Sequence, residues 1–194
     1  MATGYHSAAS AEVKEGDTVA VIGDGAVGLC GVIGARLRGA KRIILMSHHE
    51  DRAKLGREFG ATDIVSERGD DAIKKVMELT NGVGVDAVQE CVGAVSAIEQ
   101  AGKIARPGAV IGRVGVPQTE PSSKTLFWKN IGLRGGIANV TTYDKNILLK
   151  AVLDGEINPG KVFTKRFDLD HIQEAYEAMD KHEAIKSLVI VADK

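Results

Sequence analysis

The sequence predicts an α/β protein built on a doubly wound parallel sheet, followed by a short C-terminal βαβ extension. Three observations carry this reading. From Gly16 onward, short apolar, β-branched runs alternate with amphipathic patterns of helical length, and parallel strands need such crossovers. Glycine supplies 23 of the 194 residues, falling at the junctions between apolar runs, well above the usual ~7%. The first apolar run leads straight into a glycine-rich turn that opens a helical pattern.

In order, residues 18–22 read as a strand and 26–38 as a helix, then 42–46 as a strand and 50–59 as a helix. The run 62–65 precedes a helix at 70–79, with Asp70 and Asp71 in its first turn and Ile73, Val76, Met77 and Leu79 along one face. Asn81-Gly82 ends it. Strand 86–91, helix 95–105, a turn at Arg106-Pro107-Gly108 and strand 109–114 follow. The stretch 122–129 reads as helical, 130–134 as extended, and 143–153 as a helix stopped by Gly155. Pro159-Gly160 marks a hinge, dividing a domain at 1–158 from an extension at 159–194. The extension reads as strand 162–167, helix 168–182 capped by Asp168, and strand 186–192.

Composition excludes several classes. Lys and Arg number 25 against 26 Asp and Glu, a net charge of −1, which provides no basic field for nucleic acid. No window reaches the length of a membrane span, and the N-terminus lacks the basic and apolar regions of a secretory signal. Two cysteines, Cys30 and Cys91, fit buried thiols in a reducing compartment, so a cytoplasmic protein is expected.

The strongest motif is Gly23-Asp24-Gly25-Ala26-Val27-Gly28, a G-x-G-x-x-G between a strand and a helix. Gly23 permits the sharp turn, Gly25 lets a pyrophosphate approach the backbone, and Gly28 allows helix to pack closely on strand. This predicts a Rossmann fold that binds a dinucleotide. About 20 residues downstream a carboxylate usually meets the adenosine ribose, but here Ser47 stands in that place, followed by His48, His49, Glu50, Asp51 and Arg52. A hydroxyl with basic neighbours accepts a 2′-phosphate where a carboxylate would repel it, which favours NADP(H) over NAD(H). Ser47 also reads as a helix N-cap, with Glu50 closing a capping box.

Thr3-Gly4-Tyr5-His6, Gly23 to Gly28, Glu58-Phe59-Gly60-Ala61-Thr62, Gly84-Val85-Asp86 through Gly93, Gly115-Val116-Pro117, Arg134-Gly135-Gly136 and the closing Lys186-Ser187-Leu188-Val189-Ile190 together resemble the zinc-dependent medium-chain alcohol dehydrogenases. The resemblance implies the cofactor-binding domain of an oxidoreductase that moves a hydride between an alcohol or carbonyl compound and a nicotinamide cofactor. It implies Ala26 and Val27 near the pyrophosphate, and Ser47, His48 and Arg52 at the adenosine ribose. Cys91, Val92 and Gly93 would line the cleft, with Gly115, Val116 and the main chain up to Arg134 beside the nicotinamide. Thr3 would contact that ring, and Lys186 would either pair with the pyrophosphate or stand as a solvated lysine. Cys91 is equally a small core residue.

The family's zinc ligands and proton relay belong to a GroES-like catalytic domain whose motifs do not occur here. Neither a metal site nor catalytic residues are therefore expected in this chain, and alone it is expected to be inactive. His6, His171 and His182 are read as surface or local packing residues, Glu90 as a strand-end polar group, and Trp128 as an interface or core anchor. Relatives pair near the strand at 130–134, which implies a homo-oligomer. A stand-alone NADP(H)-binding sensor or partner-binding module remains the rival reading.

Overall fold

The structure, a computed structural model, describes residues 1–139 and 141–192. Val140 and positions 193 and 194 of the expected extension lie outside them. Contacts divide the chain into two units, Met1–Ile157 and Asn158–Lys194.

In the first unit the described residues form a six-stranded sheet of β1 (Thr18–Ile22), β2 (Arg42–Met46), β3 (Asp63–Val65), β4 (Val85–Glu90), β5 (Ala105–Arg113) and β6 (Gly132–Gly135). All pairings are parallel, in the order β3-β2-β1-β4-β5-β6. This is the doubly wound dinucleotide-fold order. The chain winds outward from β1 to β3 and then returns to β4 on the other side, so the crevice opens between the carboxyl ends of β1 and β4. The helices are α1 (Ala2–Ser10), α2 (Ala26–Leu37), α3 (Glu50–Phe59), α4 (Gly69–Leu79), α5 (Val95–Ile104), α6 (Ser123–Lys129) and α7 (Thr142–Leu153).

Cover on both faces explains why β1 and β2 read as continuous apolar runs rather than alternating ones. Ala20, Ile22, Ile44, Met46 and Val88 meet Ala72 and Val76 of α4 and Ala97 and Ala101 of α5 in one buried cluster. Val19, Val21, Ile43 and Leu45 are buried on the opposite face, with Leu29 and Ile33 of α2. Lys129 closes the exposed end of α5, its Nζ donating to the carbonyls of Gly102, Lys103 and Ala105 at 3.1, 2.8 and 2.9 Å.

Four features of the first unit depart from the sequence reading. Residues 2–10 form α1, which has no apolar period to announce it and packs through absent side chains. A Cβ at Gly4 would overlap the Cys30 backbone of α2, and one at Gly112 the Ser7 carbonyl. Strand β5 begins at Ala105, so the expected turn at Arg106 to Gly108 lies inside it, where the register against β4 shifts. The N-cap of α3 is His49 and makes no side-chain cap bond; Ser47 is turned elsewhere, so there is no capping box. Trp128 is no core anchor, being 74% exposed with its ring edge-on to Phe127.

The second unit holds a 3-10 turn (Pro159–Val162), β7 (Phe163–Asp168), α8 (Ile172–Asp180) and β8 (Lys186–Ile190), with β7 and β8 parallel. Asp168 does not cap α8; its Oδ1 accepts the backbone N–H of His171 at 3.0 Å, and the helix starts one residue later.

Candidate functional site

The crevice at the carboxyl ends of β1, β2 and β4 is about 320 Å³, lined by Gly23, Asp24, His48, Arg68, Val92 and Gln100 among others. Its floor is the glycine turn. Gly23 has φ +107°, a left-handed value that a side chain would strain. A Cβ at Gly28 would overlap the Gly23 carbonyl oxygen, which is the close helix-to-strand packing that the third glycine permits. Gly25 is the N-cap of α2, makes no side-chain cap bond, and has open space where its Cβ would be. The half-buried Ala26 and Val27 follow it. An anion can therefore approach the first N–H groups of α2, where the helix dipole is positive.

The opposite wall is set by Glu90, which is fully buried at the end of β4. Its Oε1 accepts the N–H groups of Val92 and Gly93 at 2.8 and 2.7 Å. Its carbonyl accepts those of Val114 and Gly115 at 2.9 and 3.2 Å. One residue thus fixes both loops that bear Gly93, Gly115 and the 85%-exposed Val116. The loops approach so closely that a Cβ at Gly93 would overlap the Val116 carbonyl oxygen. The sequence reading took Glu90 as a strand-end polar group; an acid at the last position of the strand, directly before the loop that bears Gly93, was the available signal.

Cys91 lies beside this wall with its Sγ 3.8 Å from Ser7 Oγ of α1. Burial pushes its thiol pKa up to about 12, so without a bound cation it stays protonated at neutral pH. Thr3 sits half-buried on α1. Arg134, on β6, is paired with Glu12 at 2.8 Å. Lys186 begins β8 in the second unit and is exposed.

Two residues expected at the ribose end, Ser47 and Arg52, converge with His49 on one that was not singled out. Ser47 Oγ donates to Asp24 Oδ2 at 2.8 Å, His49 Nδ1 lies 2.7 Å from the same oxygen, and Arg52 Nη1 lies 3.3 Å from Oδ1. Ser47 and Arg52 are buried, at 1% and 6% exposure. Burial alone would raise the Asp24 carboxyl pKa. The hydrogen bonds from His49 and Ser47, with the charges of His49 and Arg52, outweigh it and hold the group below the usual carboxylate range. His48 faces the crevice instead, its Nδ1 2.7 Å from the Ser66 carbonyl oxygen. Arg68 was also missed; it follows β3 at the carboxyl edge of the sheet, where the fold places ligand-binding groups.

Comparison with known proteins finds relatives over most of the chain. Residues 26–149 match the family model for zinc-binding dehydrogenase. The chain is 32% identical to an alcohol dehydrogenase of Cupriavidus necator, over 91% of this chain and 50% of that one. It is 33% identical to an NADP-dependent isopropanol dehydrogenase of Clostridium beijerinckii, over 98% of this chain and 57% of that one. A solved alcohol dehydrogenase from Thermus sp. ATN1 superposes with a TM-score of 0.88 at 30% identity, over 98% of this chain and 56% of that one. The chain spans about half the length of the curated relatives it matches.

Proposed function

The chain belongs to the zinc-binding dehydrogenase family, and on that premise we propose that it is the cofactor-binding half of an alcohol dehydrogenase-like oxidoreductase. The observation that carries the reading is the glycine cradle at the topological switch point, with open space at Gly25 over the N-terminus of α2. In this reading Ala26 and Val27 present backbone N–H groups to a pyrophosphate. Gly93, Gly115 and Val116, held by Glu90, form the shelf for the nicotinamide, and Thr3 borders that ring. A nicotinamide dinucleotide supplies the hydride or accepts it; these residues position and shield it.

The nucleotide proposed is NADP(H) in preference to NAD(H). Support comes from the isopropanol dehydrogenase relatives named as NADP-dependent and from Ser47 standing where a ribose-binding carboxylate would exclude a 2′-phosphate. The complete enzyme would act on a small alcohol or carbonyl compound. Subunit association along the free edge of β6 is part of the proposal, supported by the exposed Phe127, Trp128 and Ile137 near that edge. A cytoplasmic setting is proposed from the two free cysteines; no helix among the described residues is long and apolar enough to cross a membrane.

The described residues do not fit zinc. They contain no cluster of three or more His, Cys, Asp or Glu able to hold a metal, and Cys30 is buried within α2.

Calorimetric titration of the purified chain with NADPH and with NADH tests the proposal. Saturable binding of one or both at micromolar concentration is the expected result, with Gly28→Val abolishing it. Absence of binding by either nucleotide at millimolar concentration would overturn the reading.

A further inference from the structure

Asp24 stands between the first two glycines of the cradle and lines the crevice, whereas Ser47 and Arg52 do not reach its lining. Two of the donors expected to meet a nucleotide's 2′ end, Ser47 and Arg52, together with His49, already serve a carboxylate of this chain, which is itself only 12% exposed. We propose that Asp24 is a specificity-determining residue, an internal carboxylate that occupies the donors of Ser47, His49 and Arg52 and so holds down the preference for a 2′-phosphorylated nucleotide. The inference rests on the reading of this crevice as a nicotinamide dinucleotide site.

The chemistry follows from what each nucleotide offers. A carboxylate and a phosphate both accept hydrogen bonds from hydroxyl, imidazole and guanidinium donors. A 2′-phosphate entering the crevice must therefore take those donors from Asp24 and also meet its negative charge in a partly desolvated setting. An unphosphorylated ribose meets neither obstacle, because its 2′-hydroxyl can donate to the carboxylate where it stands. Replacing the carboxylate by a neutral amide removes the repulsion, while keeping an acceptor oxygen for Ser47 and His49.

The test is calorimetric titration of the wild-type chain and Asp24→Asn with NADPH, NADH, 2′,5′-ADP and 5′-AMP. Asp24→Ser serves as a second variant should the amide fail to fold, as judged by circular dichroism. The expected result is an NADPH-to-NADH affinity ratio that rises about tenfold in the variant, with 2′,5′-ADP gaining in parallel over 5′-AMP. A ratio that rises less than about threefold, or that falls, overturns the role of Asp24 while leaving the dinucleotide site in place. Absence of binding of every nucleotide to wild type and variants alike removes the site itself, and this inference with it.

Discussion

The two units are written in the same alternation of strand and helix, yet they bury their strands very differently. In β1 and β2 four of five residues are buried, whereas no residue of β7 or β8 reaches that state. The first unit has helices on both faces of its sheet. The described residues of the second form two parallel strands and one helix with a 3-10 turn, and leave Leu169, Tyr176 and Val191 more than half exposed. A parallel strand becomes a core only when both its faces are covered, and two strands seldom stand alone in water. The same local code therefore yields a sheet covered on both faces in one unit and, in the other, a segment with apolar surface left over.

Substitutions that strike each unit alike should break the symmetry. Ile44→Ala empties a fully buried site on β2 and should cost about 2 to 5 kcal/mol in urea unfolding. Ile190→Ala on β8, where the side chain is 37% exposed, should cost less than about 1 kcal/mol. Equal losses would mean that the second unit is as well packed as the first. Gly28→Ala forces a methyl group against the Gly23 carbonyl and should cost about 1 to 3 kcal/mol. Nucleotide titration should fail with it. Arg52→Ala leaves Asp24 without its guanidinium partner and should cost about 1 to 3 kcal/mol, read by the same denaturation.

Acid and base separate the units further. Asp24, Asp63 and Asp86 all sit below their ordinary 3.8. For Asp24 and Asp86 burial pushes upward but is outweighed by hydrogen bonds and charge, from His49, Ser47 and Arg52 in one case and from Arg106 and the Thr18 N–H in the other. For Asp63 the leading cause is the hydrogen bond from Arg42. A depressed carboxyl stabilises the fold above its unfolded value, and that contribution is lost as pH falls through the folded one. The first unit should therefore weaken below about pH 4, and Asp24→Asn should make the decline shallower. In the second unit His171 is raised from 6.5 by its hydrogen bond and charge pairing with Asp168. That contribution is present below the unfolded value and fades as pH rises through the folded one. Both groups are solvent-exposed, so His171→Gln should leave the unfolding transition unchanged, the smallest effect expected. An NMR titration of the imidazole would show its raised pKa directly.

Much of this architecture was legible locally. The bounds of β1, β2 and α3 agree with the sequence reading to the residue, because β-branched runs and a Gly60 stop declare themselves within a few positions. Helix α1 was not legible, since Ala, Ser and Gly carry no hydrophobic period and its burial depends on glycines at positions 31, 34 and 112 of other elements. The buried clamp at Glu90 and the ion cluster at Asp24 escaped for a related reason. Each is defined by groups that sequence distance keeps apart.

By itself the sequence determined the βα alternation, the glycine turn on the first strand and the place of Ser47 at the end of the second. These follow from side-chain shape, backbone freedom and period, all of which act over a few residues. Which groups meet was decided only by the tertiary structure. Parallel pairing of β1 with β2 sets Ile22 opposite Met46, which carries the residues after each strand to one edge of the sheet. There Asp24 finds Ser47, His49 and Arg52, more than twenty positions away along the chain. A charge placed between two glycines is a loop residue in sequence; the strand register makes it the centre of an ion cluster.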